Sequence, residues 1–111
     1  MVCLSIDALT WRKIEECCEV VNKSRLAGHM MLSGTAFVES LLVAYYTSGG
    51  SMKVDLEIQP RMCGRYRQVY LDMIPDMETL LRSRAEDLGI PLERLILGIV
   101  STYTGGTILK S

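Results

Sequence analysis

The stretch VYLDMIPDMETLLRSRAEDLGIPLERLILGIVSTYT, residues 69–104, decides how this chain is to be read. It opens by alternating: Val69, Leu71 and Met73 fall on one face of a strand, Tyr70 and Asp72 on the other. Pro75 and Asp76 then supply a helix start, since proline suits the first helical turn and an early acid suits the helix dipole. From there Met77, Leu80, Leu81, Arg84, Ala85 and Leu88 recur at helical spacing, and Gly89 is a C-cap candidate. A second helix follows at once, carrying Leu92, Leu95, Ile96, Ile99, Val100 and Tyr103 at intervals of three and four. One short strand and two amphipathic helices cannot bury their apolar faces alone, so the stretch requires a partner.

The partner is in the same sequence. Val2, Leu4 and Ile6 alternate with Cys3, Ser5 and Asp7, and an offset of 67 carries Leu4 to Leu71, Ile6 to Met73, Ile14 to Leu81, Cys18 to Ala85, Val21 to Leu88 and Asn22 to Gly89. Beyond that turn the offset drops to 58, taking Phe37 and Val38 to Leu95 and Ile96, Leu41 and Leu42 to Ile99 and Val100, and Tyr45 to Tyr103. The change marks a nine-residue insertion in the first copy, within residues 23–31.

The order and spacing resemble the ribbon-helix-helix family of the MetJ and Arc type. The carrying features are the alternating Val69-Tyr70-Leu71, the proline-acid start Pro75-Asp76-Met77, the Ala-x-x-x-Gly turn from Ala85 to Gly89, and the apolar Leu95-Ile96. With both copies, the expected fold is mainly α with a short β-ribbon, an α+β arrangement of two tandem ribbon-helix-helix units. The first unit spans 1–48, a linker 49–67, the second unit 68–106 and a tail 107–111, the two units forming one fused domain. The strands are expected to pair within one chain or reciprocally between two, and association into a homo-oligomer is left open.

Composition agrees with a folded chain. At 111 residues a single domain is ordinary, and an apolar share of 49% is enough for a core. No run approaches the roughly 18 apolar residues a membrane span needs, and the N-terminus alternates at once with no leader-like pattern, so the expectation is an intracellular, cytoplasmic protein. The four cysteines, Cys3, Cys17, Cys18 and Cys63, have no CxxC spacing, and His29 is the single histidine. They read as small apolar residues in a reduced cell rather than zinc ligands, and no cofactor is expected. No phosphate-binding glycine loop and no base-orienter pair is evident, so the chain reads as a binding protein and not an enzyme.

In the first unit a helix is expected from Asp7 or Thr10 to Asn22, with Leu9, Ile14, Cys17, Cys18 and Val21 as its buried stripe. Trp11 is expected to be a partly buried surface aromatic. The connection that follows either approaches a DNA backbone or extends the helix. Between the units, Val54, Leu56 and Ile58 alternate with Lys53, Asp55 and Glu57, which predicts an extra strand around 53–58.

The resemblance implies double-stranded DNA as partner. A ribbon of this type enters the major groove and its outward side chains read base edges. The outward positions would be Cys3, Ser5 and Asp7 in one strand and Gln68, Tyr70 and Asp72 in the other; Ser5, Gln68 and Tyr70 are the candidate base readers. Ser33, Gly34 and Thr35 open the second helix, whose free amides suit a phosphate. The matching Pro91-Leu92-Glu93 lacks an amide hydrogen and adds a repelling carboxylate. Arg61, Arg65 and Arg67, just ahead of the second strand, are the further phosphate candidates. Twelve basic against thirteen acidic residues give a net charge of −1, which predicts modest non-specific affinity. The implied role is a transcriptional repressor. The alternative is a protein-binding module such as an antitoxin or assembly adaptor.

Overall fold

The computed structural model describes residues 2–24, 32–50, 53–54 and 63–104. It is mainly helical, with one small antiparallel sheet. In chain order it contains β1 (Val2–Asp7), α1 (Ala8–Ser24), α2 (Gly34–Thr47), β2 (Tyr66–Leu71), α3 (Pro75–Leu88) and α4 (Leu92–Tyr103). A strand followed by two helices thus occurs twice. β1 and β2 pair antiparallel within the chain, in the register Val2 to Leu71, Leu4 to Val69 and Ile6 to Arg67 on one face, and Cys3 to Tyr70, Ser5 to Gln68 and Asp7 to Tyr66 on the other.

The helices interlock across the two halves. α2 packs on α4, α2 also lies against β2, and α4 against β1. Each half therefore covers the other's strand, and a single core results. At its centre Leu4, Leu71, Ile14, Leu81, Leu42, Leu95, Ile96, Ile99 and Val100 are all essentially inaccessible. Burying each such side chain contributes on the order of 1.5–3 kcal/mol.

Local chemistry sets the ends of the elements. Asp7 caps α1: its Oδ1 accepts from the amide of Leu9 at 3.0 Å, satisfying an orphan donor of the first turn. Ser33 caps α2, its Oγ accepting from the amide of Ala36 at 3.1 Å. Pro75 opens α3 with Asp76 and Glu78 in the first turn, and Gly89 ends it in the left-handed conformation at φ 68°. There Ile90 donates back to the carbonyl of Ala85 at 3.0 Å. In the first copy a side chain makes the link instead. Asn22 Nδ2 donates to the carbonyl of Leu32 and Asn22 Oδ1 accepts the amide of Leu32, both at 2.9 Å, fastening the two ends of the inserted segment together.

Several expectations require correction. Leu9 is 40% exposed, whereas Thr10 and Trp11 are buried, because a helix beginning at Ala8 turns residues 10, 11, 14 and 18 toward the sheet. Trp11 is accordingly a core residue, 3% exposed, and not a surface aromatic. Leu88 and Tyr103, at the last turns of α3 and α4, are exposed despite their helical spacing. α1 runs two residues past Asn22, to Ser24. β2 begins at Tyr66, inside the stretch assigned to the linker, and ends at Leu71, so Met73 packs on the core from beyond the strand. Of the extra strand expected around 53–58, Lys53 and Val54 are not in a strand and the remainder lies outside the described residues.

Candidate functional site

Among the described residues, no helix covers the outer face of the ribbon. Alternation places Cys3 and Ser5 from β1 beside Tyr66, Gln68 and Tyr70 from β2, and all five are exposed. The two tyrosines are each 57% exposed, a costly display of aromatic surface unless it has a partner. Cys3 Sγ donates to Gln68 Oε1 at 3.1 Å, a diagonal cross-strand contact that orients the amide. The face carries hydrogen-bonding groups of both kinds and no charge at its centre.

The three expected base readers, Ser5, Gln68 and Tyr70, are thus brought together, with Ser5 directly opposite Gln68. Tyr66 belongs with them and was missed, since it was counted in the linker. The signal was present, because Tyr66, Gln68 and Tyr70 continue one alternation.

Asp7 does not join this face as a base-reading group. Although it pairs with Tyr66 at the ribbon's end, it is only 5% exposed, and Oδ2 accepts from the amide of Cys63 at 2.9 Å while Oδ1 caps α1. The carboxyl is held below its ordinary range chiefly by the Cys63 amide, with Leu9 adding to it and burial working the other way. A second tie at the same corner runs from the amide of Ala8 to the carbonyl of Arg65 at 2.9 Å.

The arginines divide. Arg65 is exposed at the corner just ahead of β2. Arg67 lies on the opposite side of the ribbon from Gln68, opposite Ile6, and is directed at α1: its guanidinium sits 5.9 Å from the ring centroid of Trp11 and 3.8 Å from the carboxylate of Glu15. It is therefore placed apart from Ser5, Gln68 and Tyr70, although more than half exposed. Arg61 lies outside the described residues.

Ser33, Gly34 and Thr35 form the start of α2, with Ser33 Oγ also within 3.1 Å of Thr35 Oγ1. Gly34 has a packing role that its spacing did not reveal: a Cβ here would stand 2.9 Å from Trp11 Cζ2 and 3.3 Å from Glu15 Cγ. At the corresponding start of α4, Pro91 is the cap and makes no side-chain cap bond, and Glu93 is in the first turn.

All four cysteines are free. Burial pushes the thiols of Cys17 and Cys18 up, away from reactivity. Among the described residues, no helix is long and apolar enough to cross a membrane. Comparison with protein-family models, with curated proteins and with solved structures finds no match to this chain.

Proposed function

We propose that this chain is a sequence-specific DNA-binding regulator, built as two ribbon-helix-helix units in tandem, that reads the major groove with the outer face of its ribbon. The observation that carries the reading is a coincidence of two independent numbers. The sequence repeat equates Cys3 with Tyr70 through the offset of 67, and the strand register pairs Cys3 with Tyr70. Two equivalent residues facing each other mark a pseudo-two-fold axis through the ribbon centre. The helices that cross to the opposite strand obey the same relation. A two-stranded ribbon fits the major groove, and Gln68, Tyr70 and Ser5 offer it groups that bond base edges. The near-neutral charge means that base contacts, more than phosphate neutralisation, would carry affinity.

Such a protein would act in the cytoplasm on DNA, most simply as a repressor that occupies a promoter. It would bind, not catalyse. Fluorescence-anisotropy titration against a random double-stranded pool, before and after selection and at two salt concentrations, tests the reading. Enrichment of a preferred sequence is the expected result, and unchanged weak binding after several rounds would refute it.

A second reading is favoured by one feature away from the ribbon. A recess of about 390 Å³ between α2 and the start of α3 is lined by Val43, Tyr46, Thr47, Asp72, Met73, Ile74 and Met77, with Val43 and Ile74 about half exposed. An apolar recess of this kind suits a protein partner, as an antitoxin or adaptor requires.

A further inference from the structure

We infer that the chain binds DNA in one fixed orientation, on a non-palindromic site whose base-specific contacts are concentrated on the Gln68 side of the site's centre. This rests on the DNA reading above and concerns how that same face is used.

The axis through Cys3 and Tyr70 divides the outer face into two chemically opposite ends. Toward one end lie Ser5 and Gln68, opposite each other, then Tyr66, with Arg65 at the corner beyond. These groups donate and accept, and none is anionic; Asp7, the nearest acid, is buried and engaged by the amides of Leu9 and Cys63. Toward the other end, Tyr70 is followed outward by exposed Asp72, whose amide is held at 3.1 Å by the carboxylate of Glu39. The Asp72 carboxylate therefore stands where the first end has the Ser5 hydroxyl, with the Glu39 carboxylate bonded to its backbone amide. The sequence repeat makes the difference plain, since the offset of 67 equates Asp72 with Ser5. The two ends are unlike in charge.

In a groove walled by phosphates that difference decides orientation. A carboxylate is repelled by the backbone and has only the cytosine amino group to accept from, whereas a glutamine amide bonds adenine through two atoms. Gln68 lies two residues from the axis, about 7 Å along the strand, or roughly two base-pair steps. Its amide is already oriented by the Cys3 thiol at 3.1 Å, which makes Cys3 a positioning residue for the contact. The starts of α2 and α4 are also unlike, Ser33 capping one and proline the other, with Glu93 following.

The test uses the full chain. Sites are selected from a random double-stranded pool, and the enriched duplex is mapped by ethylation interference and titrated with the chain and with the Gln68→Ala, Cys3→Ala and Asp72→Asn variants. The expected consensus is asymmetric, with a strong A·T preference about two steps from the centre on one side only. Gln68→Ala should erase that preference, a loss of about tenfold to a hundredfold between the best and a substituted base pair, and leave the other half unchanged. Cys3→Ala should soften the same position without moving it, and Asp72→Asn should raise affinity for every sequence alike. A palindromic consensus with equal information in both halves, or loosening of both halves by Gln68→Ala, overturns the fixed orientation while leaving DNA binding intact. Failure to enrich any sequence overturns the DNA reading and this inference with it.

Discussion

Gly34 stands against the indole of Trp11 so closely that no side chain fits between them: an added Cβ would lie 2.9 Å from Cζ2 and 3.4 Å from Cη2. The contact fixes the start of α2 to α1, and Arg67 covers the same indole from β2. Three elements thus meet at one ring.

Gly34→Ala should therefore destabilise the chain by about 1–3 kcal/mol, the range for overpacking, even though alanine is the better helix former. Urea denaturation followed by the fluorescence of the single tryptophan reports both the loss and the displacement of the ring. A more stable variant with unchanged emission would mean that the contact is not tight.

The interlocking of the halves predicts that neither survives alone. Residues 51–111 expressed separately lack β1, which pairs with β2, and α2, which packs on β2 and α4. Unpaired strand groups and exposed core faces should leave that chain unfolded or self-associated. Circular dichroism with sedimentation settles the point, and a folded monomer at micromolar concentration would contradict the shared core.

Within α4, Leu95 is fully buried, while Glu93, in the first turn, keeps some exposure. Leu95→Ala should cost about 2–5 kcal/mol and Glu93→Ala little. Comparable losses in chemical denaturation would show the face of α4 to be misassigned.

Asp7 gives the stability a pH dependence of known sign. Its folded-state pKa is lowered, chiefly by the Cys63 amide, so the unfolded chain binds the proton more readily. The contribution is complete above the unfolded value, about pH 4, and is lost as pH falls through the folded value. Urea midpoints measured from pH 6 down to 2 should fall less steeply below about pH 4 in Asp7→Asn than in the parent. Parallel curves would exclude Asp7 as the group responsible.

Arg65 and Arg67 should separate in function. Arg65, exposed at the ribbon corner, is expected to touch phosphate, so Arg65→Ala should lower the salt slope of DNA binding by about one unit. Arg67→Ala should instead weaken folding by roughly 0.5–1 kcal/mol through its contact with Trp11 and leave the slope nearly unchanged. Reversal of the two effects would place Arg67 on the DNA side.

What the sequence determined by itself is what local chemistry encodes. The alternation of Val2, Leu4 and Ile6, and of Val69 and Leu71, specifies strands with one buried face, and the structure has them. Pro75 and Gly89 bound α3, and Ser33 caps α2, because terminal amides and carbonyls have few ways to be satisfied. The paired offsets join residues that are buried alike, since equivalent burial demands equivalent residue types: Ile14 and Leu81, Cys18 and Ala85, Val38 and Ile96 are all buried. Ser5, Gln68 and Tyr70 were legible as one face for the same reason. The tertiary structure decided what depends on phase and neighbours. Leu9 and Trp11 are both apolar and two residues apart, and only the point at which Asp7 starts the helix chooses Trp11 for the core. Asp7 alternates outward with Ser5 yet is buried, because the amide of Cys63, distant in sequence, reaches it. Arg67 follows the cluster of arginines in composition but turns to Trp11, because a strand sends each successive residue to the opposite face and β2 starts at Tyr66.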